Sequence, residues 1–214
     1  DEDLHRHEID KNWLERMAIF KSTKPDSLAS GANLITLFRL LSSLLFFCLA
    51  AVYHRELYNY LGLGLHWLGD WLDGFWAKTF KQRTILGAEI DIIADRVECL
   101  FFFINFISFH PGLGWPVTLY ILNFAFIDFY LSYQFIKFDL ISVDFFYLVD
   151  QKVFKLNFSQ PGKFANSTVI PLLLILLPDW WPLTLLLTAG LIAVKVDSIF
   201  ILRKKKSQTA QIKS

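Results

Sequence analysis

LGDWLDGFWAKTFKQRTILGAEIDIIADR, residues 68–96, holds four aspartates in two pairs, Asp70 with Asp73 and Asp91 with Asp95, each inside otherwise apolar sequence. On a helix, a three-residue or a four-residue step puts both side chains on one face, one turn apart. Gly74 and Gly87 lie between the pairs, where a ligand or a second backbone can come close. Four facing carboxylates repel one another unless a cation sits among them. Oxygen-only ligands suit Mg²⁺, Mn²⁺ or Ca²⁺ rather than a thiolate-seeking metal. The stretch therefore reads as a divalent-cation site, with room for two ions, inside a helical pair.

Outward from it, the chain is apolar at helical length. Residues 32–53 are long enough to span a bilayer. Further spans are expected over 57–78 and 86–109, which contain the aspartate pairs, and over 115–136, 164–177 and 183–202. HPGLG at 110–114 and PDWWP at 178–182 read as turns, the paired Trp suiting the headgroup zone. The fold class expected is an all-α integral membrane protein of six transmembrane helices. An amphipathic surface helix within residues 1–30 precedes them, with apolar Leu4, Ile9, Trp13, Leu14, Met17 and Phe20 among charges. The six-helix domain is expected over 31–206, with a polar tail at 207–214.

Composition agrees. Hydrophobic residues make up 54% of 214, with 22 Phe and 7 Trp, and mean hydropathy is +0.41. A formal net charge of +1 gives no bulk attraction to nucleic acid. Cys48 and Cys99 lie in apolar runs and read as packing residues rather than a disulfide or zinc framework. The basic clusters at 21–24, 78–83, 137–163 and 203–206 all fall on one side of a six-span topology. By the positive-inside rule that side is cytoplasmic, which places both termini and the aspartates there.

The spacing Asp70-x2-Asp73-Gly74-x2-Ala77-Lys78-x8-Gly87-x3-Asp91-x3-Asp95 resembles the signature of the CDP-alcohol phosphatidyltransferase family. The departure is Lys78, where the family usually carries Arg. Asn33, Thr36 and Arg39, at three-residue steps, are similar to the Asn-x2-Thr-x2-Arg that many members show before the first span. They read either as a capped helix with a snorkelling Arg or as contacts to nucleotide phosphates.

The resemblance implies Asp70, Asp73 and Asp91 as ligands of two Mg²⁺ or Mn²⁺ ions. Asp95 becomes a general base facing the acceptor, also touching the second metal. Gly74, Ala77 and Gly87 give the nucleotide access to the helix backbones, and Lys78 sits near the phosphates. The expected partners are CDP-diacylglycerol or a related CDP-linked lipid, a small alcohol acceptor, membrane lipids and a second copy of the chain. The reaction is phosphatidyl transfer with release of CMP. GAEIDIIADR at 87–96 is similar to inositol- and inositol-phosphate-using members, which are slightly favoured. Gly162-Lys163 resembles a feature of glycerol-phosphate users, so phosphatidylglycerophosphate synthesis is the alternative. Arg96, Lys137, Lys152, Lys155 and Lys163 can supply a cationic acceptor subsite or simply mark the cytoplasmic face. Outside the class, a cation-coupled membrane carrier is the alternative, since acidic residues in spans also mark ion pathways.

Overall fold

Ser30 starts the first long helix: its hydroxyl accepts from the backbone N–H of Asn33 at 3.2 Å. The computed structural model describes residues 29–80 and 82–213, with side chains described as far as residue 207. The amphipathic helix expected near the N-terminus lies outside the described residues. Helix α1 (Gly31–Tyr53) closes at His54, whose left-handed φ of 49° turns the chain back. Helix α2 is Glu56–Thr79. Helix α3 (Ile85–Phe109) begins at Thr84, whose hydroxyl accepts from Gly87 N–H at 3.0 Å.

These three helices form the frame of the site, with α1 packed on both α2 and α3. Gly62 of α2 makes the approach possible: a Cβ there would lie 2.5 Å from the Phe47 ring of α1. Asn105 of α3 donates to the Phe47 carbonyl at 2.9 Å and to Asn59 Oδ1 at 3.2 Å, and Asn59 donates to the Phe102 carbonyl at 3.1 Å. Such buried amides tie apolar helices together where hydrophobicity alone gives no preference between protein and lipid.

Helix α4 (Pro111–Lys137) contains a π-helical stretch at Asn123–Asp128. Short turns follow at Val143–Leu148, Gln151–Val153 and Phe154–Phe158. Helix α5, residues 160–176, starts at Ser159, whose hydroxyl accepts from Gly162 N–H, and passes through a second π stretch at Ala165–Val169. Helix α6 runs from Trp181 to Lys213. It extends past the 183–202 span and takes the polar tail into the helix, because Lys, Gln and Ala are good helix formers.

The described residues are all helical and turn, with no strand. Among the described residues, α1, α4 and the Pro178–Ser207 stretch that contains most of α6 are long and apolar enough to cross a membrane, their most apolar 18-residue windows having mean hydropathies of 2.2, 1.3 and 2.1. This is the composition of a multi-pass membrane protein. Helices α2 and α3 have the length, 24 and 25 residues, but their aspartates lower the hydropathy. One apolar core gathers Phe47, Phe102, Phe103, Phe106, Tyr120 and Leu174. A second, around Leu131, Phe135, Phe146, Phe158 and Leu202, packs the loops between α4 and α5.

Candidate active site

On α2, His66, Asp70 and Asp73 follow one another at steps of four and three; on α3, Asp91, Asp95 and Glu98 do the same. Each trio therefore occupies one helical face, and the two faces meet across α1. At their junction stands Arg39, with only 1% of its side chain exposed. Its Nη1 lies 3.3 Å from Asp70 and 3.5 Å from Asp73, and its Nη2 lies 3.4 Å from Asp91 and 2.9 Å from Asp95. Nε faces Glu98 at 3.3 Å. Gly69 permits this, because a Cβ there would strike the Arg39 stem. Thr36 donates to Asp73 Oδ2 at 2.8 Å, and His66 Nδ1 lies 2.9 Å from Glu98.

Two cavities meet at this cluster. The outer one, about 390 Å³, is lined by Asp70, Asp73 and Asp91 together with Asn33, Thr36, Gly74, Ala77, Lys78, Gly87, Arg83, Asp144 and Lys163. The N-terminal turns of α1 and α3 open into it through Ala32, Asn33, Thr84, Gly87 and Ala88. Helix N-termini present positive dipole ends, which favour a phosphate group. The inner cavity, about 120 Å³, is lined by Asp70, Asp95, His66, Glu98, Ser167 and Thr168 among aromatic side chains. Asp70 is common to both linings, whereas Asp95 belongs to the inner one.

The outer rim carries its own charge cluster. Asp144 accepts from Lys163 Nζ at 2.6 Å and from Arg83 Nη2 at 3.0 Å. Burial alone would raise the Asp144 carboxyl, but Lys163, Arg83 and Lys78 outweigh it and hold it below the usual carboxylate range.

Of the residues singled out in the sequence, the structure brings together Asp70, Asp73, Asp91 and Asp95, with Asn33, Thr36, Gly74, Ala77, Lys78, Gly87 and Lys163 lining the adjoining cavity. Gly74 is open, with nothing near an added Cβ. At Gly87 an added Cβ would meet Asn33 Oδ1 at 2.9 Å, so that glycine seats α1 against α3. Arg39 sits among the carboxylates rather than on the cavity wall. Arg96 turns inward and pairs with Asp128. Lys137 lies over the Tyr130 ring and Lys152 pairs with Asp197, both away from the two cavities, and Lys155 lines neither.

Glu98 and His66, which face each other beside Arg39, are not among the residues singled out in the sequence. The four-then-three step from Asp91 was the signal for Glu98. Asp144 and Gln82, whose side chain accepts from Ala32 N–H at 3.2 Å, had no comparable signal.

Residues 30–201, most of the chain, match the family model described as CDP-alcohol phosphatidyltransferase. The chain belongs to the CDP-alcohol phosphatidyltransferase family. It is also similar to the CDP-diacylglycerol–glycerol-3-phosphate 3-phosphatidyltransferase of Cereibacter sphaeroides, at 30% identity over 102 residues, 45% of this chain. The match spans about half the length of that relative, 46%. No solved structure matches the chain.

The donor set of this family member fits a hard divalent cation. Asp70, Asp91 and Asp95 each offer an oxygen within 4.8 Å of the others. Around Arg39, five carboxylates face a single guanidinium, so the cluster remains short of positive charge. Asp70 and Asp91 have 54% and 38% of their side chains exposed, which leaves their outer lone pairs accessible from the outer cavity.

Proposed function

We propose that the chain transfers the phosphatidyl group of CDP-diacylglycerol to an alcohol and releases CMP, in a divalent-metal-dependent reaction. The observation that carries this reading is the division of the aspartates between two cavities that share Asp70. The outer cavity, with helix N-termini, Lys78, Arg83 and Lys163, suits the CDP pyrophosphate. The inner one, with Asp95 in its wall, suits the acceptor hydroxyl.

In this reading Asp70, Asp73, Asp91 and Asp95 hold two Mg²⁺ or Mn²⁺ ions. Bound there, the metals supply neutralisation of the pyrophosphate charge and a template for in-line displacement. Asn33 and Thr36 line the phosphate side, where Thr36 also orients Asp73. Lys78 and Arg83 balance phosphate charge at the rim. Lys78 does so as a point charge rather than as the family's planar fork. Asp95 accepts the proton of the acceptor hydroxyl. The freed oxygen bonds to the lipid-bearing phosphorus as its bond to the oxygen of CMP breaks, and CMP leaves with that electron pair.

The topology belonging to this function has α1 to α6 all crossing the bilayer over residues 31–206. The outer cavity and the C-terminus lie on the cytoplasmic side, where the nucleotide is supplied. The aspartate-bearing α2 and α3 cross as parts of the bundle, their charges turned onto Arg39 and away from lipid. A homodimer is part of the proposal.

For the acceptor, glycerol phosphate comes first. The C. sphaeroides relative is named for it. The second reading, inositol or inositol phosphate, rests on the 87–96 segment. A parallel assay of CMP release from CDP-diacylglycerol with glycerol phosphate, inositol, inositol phosphate and serine, with and without Mg²⁺ or Mn²⁺, separates them. Metal-dependent release with one acceptor is expected. A folded sample that releases no CMP with any of the four refutes the transferase reading and favours an ion carrier.

A further inference from the structure

Asp95 is gripped from two sides by different guanidinium groups. Its Oδ1 lies 2.9 Å from Arg39 Nη2, and its Oδ2 lies 3.7 Å from Arg96 Nη1. The second grip is itself anchored. Arg96 reaches Asp128 Oδ2 and Ser132 Oγ with its other terminal nitrogen, and its Cζ lies 4.3 Å from the centre of the Phe124 ring. Asp128, in the π stretch of α4, gives its remaining oxygen to Lys195 Nζ of α6 at 2.9 Å. Lys195 is fully buried. The result is a row of alternating sign, Arg39, Asp95, Arg96, Asp128, Lys195, which runs from α1 through α3 and α4 to α6.

Buried charges in a membrane domain are costly and persist where they serve a site. Asp128 and Lys195 line neither cavity, so substrate contact does not account for them. We propose that Asp128 and Lys195 are positioning residues that act on Asp95 through Arg96. The proposal rests on the reading of Asp95 as the group that takes the acceptor's proton. Arg96 has a planar fork with a fixed angle between its donors. While Asp128 holds one arm, the other arm can only touch Asp95 at long range, which orients the carboxylate and leaves its lone pair available to a hydroxyl. Released from Asp128, Arg96 closes onto Asp95 and occupies that lone pair. Lys195 balances the second charge of Asp128 and keeps it from being drawn wholly to Arg96.

The test compares wild type, Asp128→Asn and the double variant Asp128→Asn with Lys195→Met. Each is the full chain in lipid nanodiscs, assayed with CDP-diacylglycerol and the acceptor that supports wild-type CMP release. Loss of an outer-shell partner is expected to lower kcat about 10–100-fold, with KM for CDP-diacylglycerol unchanged, because the lost interaction acts only in the chemical step. The double variant restores charge balance and with it the melting temperature, but kcat stays low. Recovery of kcat in the double variant means that the cluster serves only to balance buried charge, and overturns the proposal. So does a wild-type kcat in Asp128→Asn.

Should Asp128→Asn not fold, Asp128→Glu keeps the charge and displaces Arg96. About a tenfold lower kcat at unchanged KM is expected, and full kcat overturns the proposal. These failures differ from failure of the transferase reading, which appears as a wild type that releases no CMP.

Discussion

Arg39 is held by five carboxylates and sees almost no solvent. Replacing it with Met leaves those carboxylates facing one another. Breaking a buried ion cluster on one side costs about 3–5 kcal/mol, so Arg39→Met should melt at a clearly lower temperature. Mg²⁺ should stabilise this variant more than wild type, because the ion takes over the missing positive charge. Thermal unfolding followed by tryptophan fluorescence, with and without Mg²⁺, checks both expectations. At the same scale, Asp95→Asn should lower CMP release by about 10²–10⁴-fold, the usual weight of a general base, and leave CMP binding measurable by calorimetry. Retained turnover in Asp95→Asn would remove Asp95 from its proposed role. The four aspartates were legible in the sequence because helical spacing alone puts each pair on one face. Arg39 at their centre was not, since it comes from a different helix and its apolar neighbourhood reads equally well as a membrane-entry arginine.

Helices meet where side chains allow it, and α2 offers a matched comparison. Gly62 faces the Phe47 ring, whereas Gly64, two positions along, has open space around it. Gly62→Ala should destabilise the bundle by about 1–3 kcal/mol through overpacking. Gly64→Ala should be neutral or gain up to about 1 kcal/mol from the helix preference for Ala. Melting temperatures of the two variants decide this, and equal effects would contradict the α1–α2 geometry. The Asp144 cluster joins the loop after α4 to the starts of α3 and α5. Its carboxyl titrates below the ordinary carboxylate value of about 3.9. A depressed folded-state value contributes stability that is fully present above the unfolded value and is lost as pH falls through the folded one. The 143–163 segment should therefore keep its hydrogen-exchange protection from pH 7 down to about pH 4. Asp144→Asn should exchange about tenfold faster there at pH 7, as expected for the loss of charge-assisted hydrogen bonds. The long helices were readable from hydropathy. The π stretches at Asn123–Asp128 and Ala165–Val169 were not, because an extra residue in a turn leaves apolar composition unchanged. One of those stretches carries Asp128 toward Arg96 and Lys195, a cluster that no spacing in the sequence brings together.

Across the whole molecule, the ends of α1, α2, α3 and α5 that line the outer cavity lie together at one end of the bundle. The turns around Pro111 and Pro178 join the opposite ends of successive helices. Lys78, Arg83 and Lys163 line the cavity, whereas the 110–114 and 178–182 turns carry no Lys or Arg. Cysteines placed singly at Gly112 and Ser207, with Cys48 and Cys99 replaced by Ala, should report the two sides. In sealed right-side-out vesicles a membrane-impermeant maleimide should label position 112 and spare 207. Labelling of both, or the reverse pattern, would contradict the proposed orientation. The multi-pass character was accessible from sequence because lipid imposes apolar length on any helix that crosses it. The pairing of cavities was not, since it depends on how six helices tilt against one another.

The wall that both chambers share has a kinetic consequence. If the two chambers hold donor and acceptor as proposed, a ligand seated against one side of Asp70 alters what the other side presents and couples the two affinities. By linkage, whatever factor the nucleotide imposes on acceptor affinity must be returned in equal measure. Product inhibition by CMP in the wild type would then carry the imprint of the second substrate's concentration.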